Sequence, residues 1–162
     1  MITRPDCVVV GAGIGGLTAA AAVAATGARV LVLEQATTLA PVGAGLTVQP
    51  NAVLALRRLG LATELDDCAC VLDSVTISDA AGRVLSALGP HDADALRSEV
   101  GAPAWGLHRA TLQQHLVAAA RTAGADVTTG TRVSAVDPET ATVTLADGSS
   151  VTGGILIGAD GL

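Results

Sequence analysis

Three glycines, Gly11, Gly13 and Gly16, stand at the spacing G-x-G-x-x-G within "CVVVGAGIGGLTAA", between an apolar run and an alanine-rich one. Where that spacing follows a strand and opens a helix, the first glycine permits a tight turn and the second lets a pyrophosphate approach the backbone. The third lets helix and strand pack closely. The free N–H groups at the helix start, at the positive end of its dipole, then hold an anion with no lysine required. Glu34 follows about twenty residues on, where a carboxylate accepts hydrogen bonds from a ribose diol and repels a 2′-phosphate. Together these residues can bind an adenine dinucleotide, FAD or NAD rather than NADP, across the carboxyl ends of parallel strands.

That chemistry needs a strand, a turn, a helix and a second strand in order. Cys7 to Val10 is apolar and β-branched, as in strands buried on both faces. Leu17 to Ala25 is rich in alanine and apolar nearly all round, which predicts a helix buried against a sheet, with Gly27 as its stop. Arg29 to Glu34 predicts a second buried strand and completes a βαβ unit with a right-handed crossover. Residues 35–49 read as loop, and a helix begins at Pro50-Asn51 and stops at Gly60. A hairpin is predicted over 74–88 around Ala80-Ala81-Gly82, irregular structure over 89–104, and a helix from Arg109 to Ala123.

The remaining residues break the alternation of strand and helix. Ala125 to Thr129, Arg132 to Val136 and Ala141 to Leu145 read as strands, with a turn at Ala146 to Ser149 before Val151. Gly154 to Gly161 supplies a last apolar strand with a glycine-rich exit. An NAD-type dehydrogenase would continue with further βαβ units, so the antiparallel run over 131–152 points to FAD. The expected fold class is α/β, a Rossmann-like FAD-binding domain with a parallel sheet and an inserted antiparallel β-meander.

Composition excludes other classes. The net charge of −6, with Arg57-Arg58 as the one basic pair, is wrong for a nucleic-acid partner, and that pair reads as a solvated helix face. Cys7, Cys68 and Cys70 fit neither a disulfide framework nor a zinc site, so no metal is expected, and the thiols suit a reducing cytoplasm. Residues 7–28 carry no charge, but Gly11, Gly13, Gly15 and Gly16 interrupt them, which argues against a membrane span or a secretory signal. With no Phe or Tyr and only Trp105, the core must be built from Ala, Val, Leu and Ile.

The glycine turn, Glu34, "PVGAGLTVQPNAVLALRRLGL", "LHRATLQQHL" and "ILIGADG" together give the chain its likeness. It resembles the class A FAD-dependent monooxygenases, the aromatic hydroxylases similar to p-hydroxybenzoate and salicylate hydroxylases. The resemblance implies that Gly11, Gly13 and Gly16 face the FAD pyrophosphate with Ala12 and Gly15 also at the cofactor, that Glu34 faces the adenosine ribose with Gln35 beside it, and that Val133 offers its backbone to the adenine. It implies Thr47 near the flavin side, Arg109 in contact with FAD and holding the loop against it, and Asp160-Gly161 as a second fingerprint linked to the pyrophosphate and the reducing nicotinamide. Gln35 stands where many relatives carry a basic residue. His91, His108 and His115 match no catalytic position, and no catalytic residue is assigned.

The implied reaction reduces FAD with NADH or NADPH and delivers one oxygen atom of O2 to a small aromatic substrate. Members of the family run to more than twice this length. Residues 1–162 are therefore expected to be an incomplete FAD-binding domain, without the substrate domain and a later G-D motif, and not competent alone. Two other readings stay open: an NAD-linked oxidoreductase module, and a non-functional truncated fragment.

Overall fold

The computed structural model describes residues 4–40 and 43–161, which fall into two compact units: residues 4–40 with 110–161, and residues 43–109. In the first unit, strand β1 (Cys7–Val10) leads into helix α1 (Ile14–Ala24) and strand β2 (Val30–Leu33). Strands β8 (Asp126–Thr128) and β12 (Ile155–Gly158) complete a parallel sheet in the order β12-β1-β2-β8. The register sets Cys7 opposite both Val30 and Ile155, so the carboxyl ends of β12, β1 and β2 lie level.

Strands β9 (Val133–Asp137), β10 (Thr142–Leu145) and β11 (Ser150–Thr152) form the antiparallel meander expected from the sequence. Val143, fully buried, packs with Val8 and Leu33, and Val133, Leu145 and Val151 border the same cluster. Side chains alternate across a sheet, so Cys7, Val9, Val30 and Val32 turn to the other face, and all four are buried. Helix α1 packs against β1 and β2. Helix α5 (Arg109–Thr122) buries Leu112, Leu116 and Ala120 at helical spacing.

At the amino-terminal ends of the strands, Asp6 and Arg29 form a two-pronged ion pair, with Arg29 Nη2 donating to Asp6 Oδ1 at 2.8 Å and Nε to Oδ2 at 3.1 Å. The backbone N–H of Arg29 adds a third bond at 2.9 Å. Together these hold the Asp6 carboxyl down to about 2.

The second unit carries strands β3 (Gly45–Val48), β4 (Cys70–Leu72) and β7 (Ala104–His108) in the antiparallel order β3-β7-β4. Helices α2 (Pro50–Arg58), α3 (Thr63–Cys68) and α4 (Pro90–Val100) and a hairpin of β5 (Val75–Ser78) and β6 (Val84–Leu88) complete it.

Two expectations are corrected in this unit. The stretch 35–49, read as loop, contains β3, whose four residues are strand because they pair with β7 some sixty positions later. The stretch 89–104, read as irregular, contains α4. Pro90 sits in its first turn, the Asp92 carboxylate accepts from the Gly89 N–H at 3.0 Å, and Gly101 closes it at φ 83. Arg57 is also more than a solvated charge: it pairs with Asp66 at 2.8 Å and covers the Trp105 ring at 5.6 Å.

Candidate functional site

The carboxyl ends of the parallel sheet converge on one turn. The Gly11 N–H donates to Leu33 C=O and the Ala159 N–H to Val10 C=O, both at 2.8 Å, which ties the exits of β1, β2 and β12 together. Because β2 lies on one side of β1 and β12 on the other, this is the point where strand order reverses, where open α/β sheets bind ligands.

The glycines divide into two kinds. Gly11 has φ +102, and a Cβ there would lie 2.3 Å from Ala159 O and 3.0 Å from Asp160 Cα. A Cβ on Gly16 would lie 2.0 Å from Gly11 O. Both are bare because backbone presses on backbone. Gly13 and Gly15 meet nothing within 4 Å, so their faces are open. Gly13 caps α1 in extended geometry, φ −75 and ψ −178, with no side-chain acceptor at the cap. The helix dipole and its opening N–H groups are thus presented through a gap that no side chain fills.

Glu34, half-buried just beyond β2, reaches back to this turn. Its Oε2 accepts from the Ala12 N–H at 2.7 Å and its Oε1 from the Ala36 N–H at 2.8 Å. One backbone donor fixes each oxygen, and the lone pairs that remain can accept from two hydroxyls. Gln35 is exposed beside it. The Thr131 N–H donates to Glu34 C=O at 2.8 Å, bringing the start of the meander alongside, while the Val133 side chain is half-buried against the core cluster. Asp160 is exposed next to Gly11, and Gly161 follows at φ 87.

The first unit therefore gathers Gly11, Ala12, Gly13, Gly15, Gly16, Glu34 and Asp160 around one turn. Thr47 and Arg109 belong to the second unit. Thr47 is exposed on β3, opposite Gly106, and borders a cavity of about 290 Å³ with Leu72, Ile77, Leu88 and Arg97. The Arg109 N–H donates to Ala44 C=O at 3.1 Å, and its stem lies on Gly43, where a Cβ would be 2.9 Å from Arg109 Cδ. One contact escaped the sequence reading: Gln113 on α5 donates from Nε2 to Ala12 C=O at 3.1 Å, across 101 positions and with no local signal to announce it.

Known proteins match this arrangement. The family described as FAD binding domain matches residues 4–162. The chain belongs to that family. FAD-dependent monooxygenase OpS4 of Beauveria bassiana (strain ARSEF 2860) is 39% identical over 157 residues, 96% of this chain and 36% of that protein. 3-Hydroxybenzoate 6-hydroxylase 1 of Aquipseudomonas alcaligenes is 36% identical, covering 97% of this chain and 40% of its own length. Among solved structures, the tetrameric form of 2-methyl-3-hydroxypyridine-5-carboxylic acid oxygenase superposes with a TM-score of 0.82 at 26% identity, over 99% of this chain and 40% of that one. The chain thus spans well under half the length of these relatives.

FAD is the cofactor of the family, and the residues here fit it: two glycines whose bare faces are open, an uncapped helix start, and an acidic side chain held at the end of the second strand. Among the described residues, no group of three His, Cys, Asp or Glu could hold a metal, and no helix is long and apolar enough to cross a membrane.

Proposed function

We propose that the chain is the FAD-holding part of a monooxygenase that takes reducing equivalents from NADH or NADPH and places one oxygen atom of O2 on a small aromatic substrate. The names of the relatives support the substrate class: one is a hydroxybenzoate hydroxylase and another an oxygenase of a hydroxypyridine carboxylic acid. The flavin, when bound, supplies the electron transfer and the oxygen chemistry, and the protein binds, orients and shields it.

Within this proposal, the open faces of Gly13 and Gly15 admit the pyrophosphate to the first N–H groups of α1, where the helix dipole offsets its charge. Glu34 accepts the ribose hydroxyls and Gln35 borders the same end of the cofactor. Val133 turns its backbone to the adenine, because its side chain belongs to the core. Asp160-Gly161 borders the pyrophosphate and the path of the nicotinamide. Thr47 serves the flavin end, and Arg109 contacts FAD and steadies the loop that carries Gly43. Residues 1–162 are read as one FAD-binding region, with the substrate-covering sheet supplied by other residues.

The observation that carries the proposal is the uncapped, side-chain-free opening of α1 with Glu34 held 2.7 Å from the Ala12 N–H. Its test is a titration with FAD, followed by flavin fluorescence and absorbance, with NAD as competitor and Gly13→Asp as the variant. Saturable FAD binding that NAD does not displace is expected, and it should be lost in Gly13→Asp. That variant should stay folded, since Asp at an N-cap accepts a helix N–H and is as good there as Gly or better by a few tenths of a kcal/mol. FAD binding unchanged by the variant, or FAD displaced by stoichiometric NAD, would refute the proposal.

A further inference from the structure

We infer that Gln113 is a positioning residue for the dinucleotide turn: its side-chain amide sets the direction in which the Gly13 N–H is presented to phosphate. The inference rests on reading that turn as the phosphate site.

The turn contains two consecutive peptide planes, each held by a different side chain. The plane joining Gly11 to Ala12 is held through its N–H, which donates to Glu34 Oε2 at 2.7 Å. The plane joining Ala12 to Gly13 is held through its carbonyl, which accepts from Gln113 Nε2 at 3.1 Å. In a trans peptide the C=O and the following N–H point in opposite directions, so a donor that fixes the Ala12 carbonyl also fixes the Gly13 N–H. Every peptide described here is trans.

Restraint is needed at this plane in particular. Gly13 has no Cβ, and the space a Cβ would occupy is empty, so no side chain opposes a rotation of the plane. Such a flip would turn the carbonyl to where the N–H had been and exchange a donor for a partial negative charge. Gly11 and Gly16 differ from Gly13, because the place of a Cβ at each is already taken by backbone, of Ala159 and of Gly11. The amide of Gln113 is suited to the task because it donates without bringing charge. A carboxylate there would face the carbonyl with lone pairs on both sides.

The test compares the chain with Gln113→Met, which keeps length and removes the donor, and with Gln114→Met on the exposed neighbouring position. Affinity is measured for ADP and for adenosine. Gln113→Met should weaken ADP by roughly three- to tenfold, the range of one neutral hydrogen bond, and leave adenosine and the Gln114→Met variant unchanged. A general packing defect would weaken both ligands alike and would overturn the inference.

Amide NMR of the ligand-free variant supplies the second readout. The Ala12 and Gly13 amide signals should shift or broaden in Gln113→Met. Unmoved amides with weaker ADP binding would mean that Gln113 touches the ligand itself, and the positioning role would fall. Should Gln113→Met not fold, the unmutated chain decides: a nuclear Overhauser contact between the Gln113 side-chain amide and Ala12 or Gly13 supports the inference, and its absence overturns it. If the unmutated chain binds neither ADP nor FAD, the phosphate-site reading fails and takes the inference with it. If it binds both and Gln113→Met binds equally well, only the inference fails.

Discussion

Gly15→Ala and Gly16→Ala make the same chemical change at adjacent positions of one helix, yet their effects on stability should have opposite signs. Alanine is favoured over glycine inside a helix by up to about 1 kcal/mol, and somewhat less in the first turn. At Gly15 nothing lies within 4 Å of the new methyl, so that gain is kept. At Gly16 the methyl would stand 2.0 Å from the Gly11 carbonyl oxygen, with Ala159 Cβ 3.2 Å away on another side. Reaching a tolerable separation of about 3 Å means moving helix against turn by about 1 Å, and overpacking of this kind costs about 1–3 kcal/mol.

Here the upper end of that range applies, because the opposing atom is backbone and the turn is tied to β2 and β12 by the Gly11 and Ala159 hydrogen bonds. Subtracting the propensity gain leaves Gly16→Ala about 2 kcal/mol less stable, which for a domain of this size lowers Tm by about 4–8 °C. Gly15→Ala should hold Tm or raise it by about 2–4 °C and, under the proposed function, weaken FAD, since its methyl would enter the space proposed for the pyrophosphate. Thermal unfolding of the ligand-free chain by far-ultraviolet circular dichroism reads both. A Gly16→Ala chain that melts at or above the unmutated one, or a Gly15→Ala chain that falls as far as Gly16→Ala, would refute the division of the glycines into packing and approach positions.

Other outcomes follow from named contacts. Glu34→Gln replaces one carboxylate oxygen by a donor facing a backbone N–H, at Ala12 or Ala36, and, under the proposed function, removes a charged acceptor for the ribose. FAD affinity should fall roughly ten- to a hundredfold, the worth of a hydrogen bond to a charged group, as measured by flavin fluorescence. The Asp6 carboxyl is held at about 2 by Arg29, below its unfolded value of about 3.9, so the stability it adds is present above pH ~4 and is lost as pH falls toward 2. The Tm difference between the unmutated chain and Asp6→Asn should therefore be constant from pH 7 to 5 and shrink through that acid window, and a difference that persists at the acid end would contradict the assignment. Burial raises the Cys7 thiol while Cys68 and Cys70 are exposed. An alkylating reagent at neutral pH should thus modify Cys68 and Cys70 quickly and Cys7 only on unfolding, as peptide mass mapping would show.

How much of this was legible in the sequence depended on how local each signal was. The βαβ unit could be read because its periodicities, its glycine spacing and Glu34 all fall within about thirty residues, and the meander because turn residues separate three alternating runs. Strand β3 was missed for the opposite reason: Gly45 to Val48 has no pattern of its own and is a strand only because Ala104 to His108 lies beside it. Helix α4 carried legible marks in Pro90, Asp92 and Gly101. Its polar surface hid them, since only Ala93 is buried and no apolar stripe was available to read. Arg57 looked like a solvated charge because no sequence signal places Trp105 beneath it.

The same distinction runs through the candidate site. A spacing of glycines specifies where backbone may approach backbone or ligand, and Gly11 and Gly16 satisfy that requirement through contacts between the ends of β1, α1 and β12. It does not specify which way the open peptide at Gly13 points. Glu34, from the end of β2, holds the preceding plane through the Ala12 N–H, and Gln113, from α5, holds this one through the Ala12 carbonyl, 22 and 101 positions away. Under the proposed function, the glycine pattern makes room for a pyrophosphate but is silent on the orientation of the donors that would meet it. A chain with all the glycines and no donor at the position of Gln113 should fold the same turn and hold phosphate less well. The fingerprint would then report where a dinucleotide fits, and the clamp on the Ala12 carbonyl how tightly its phosphates are held.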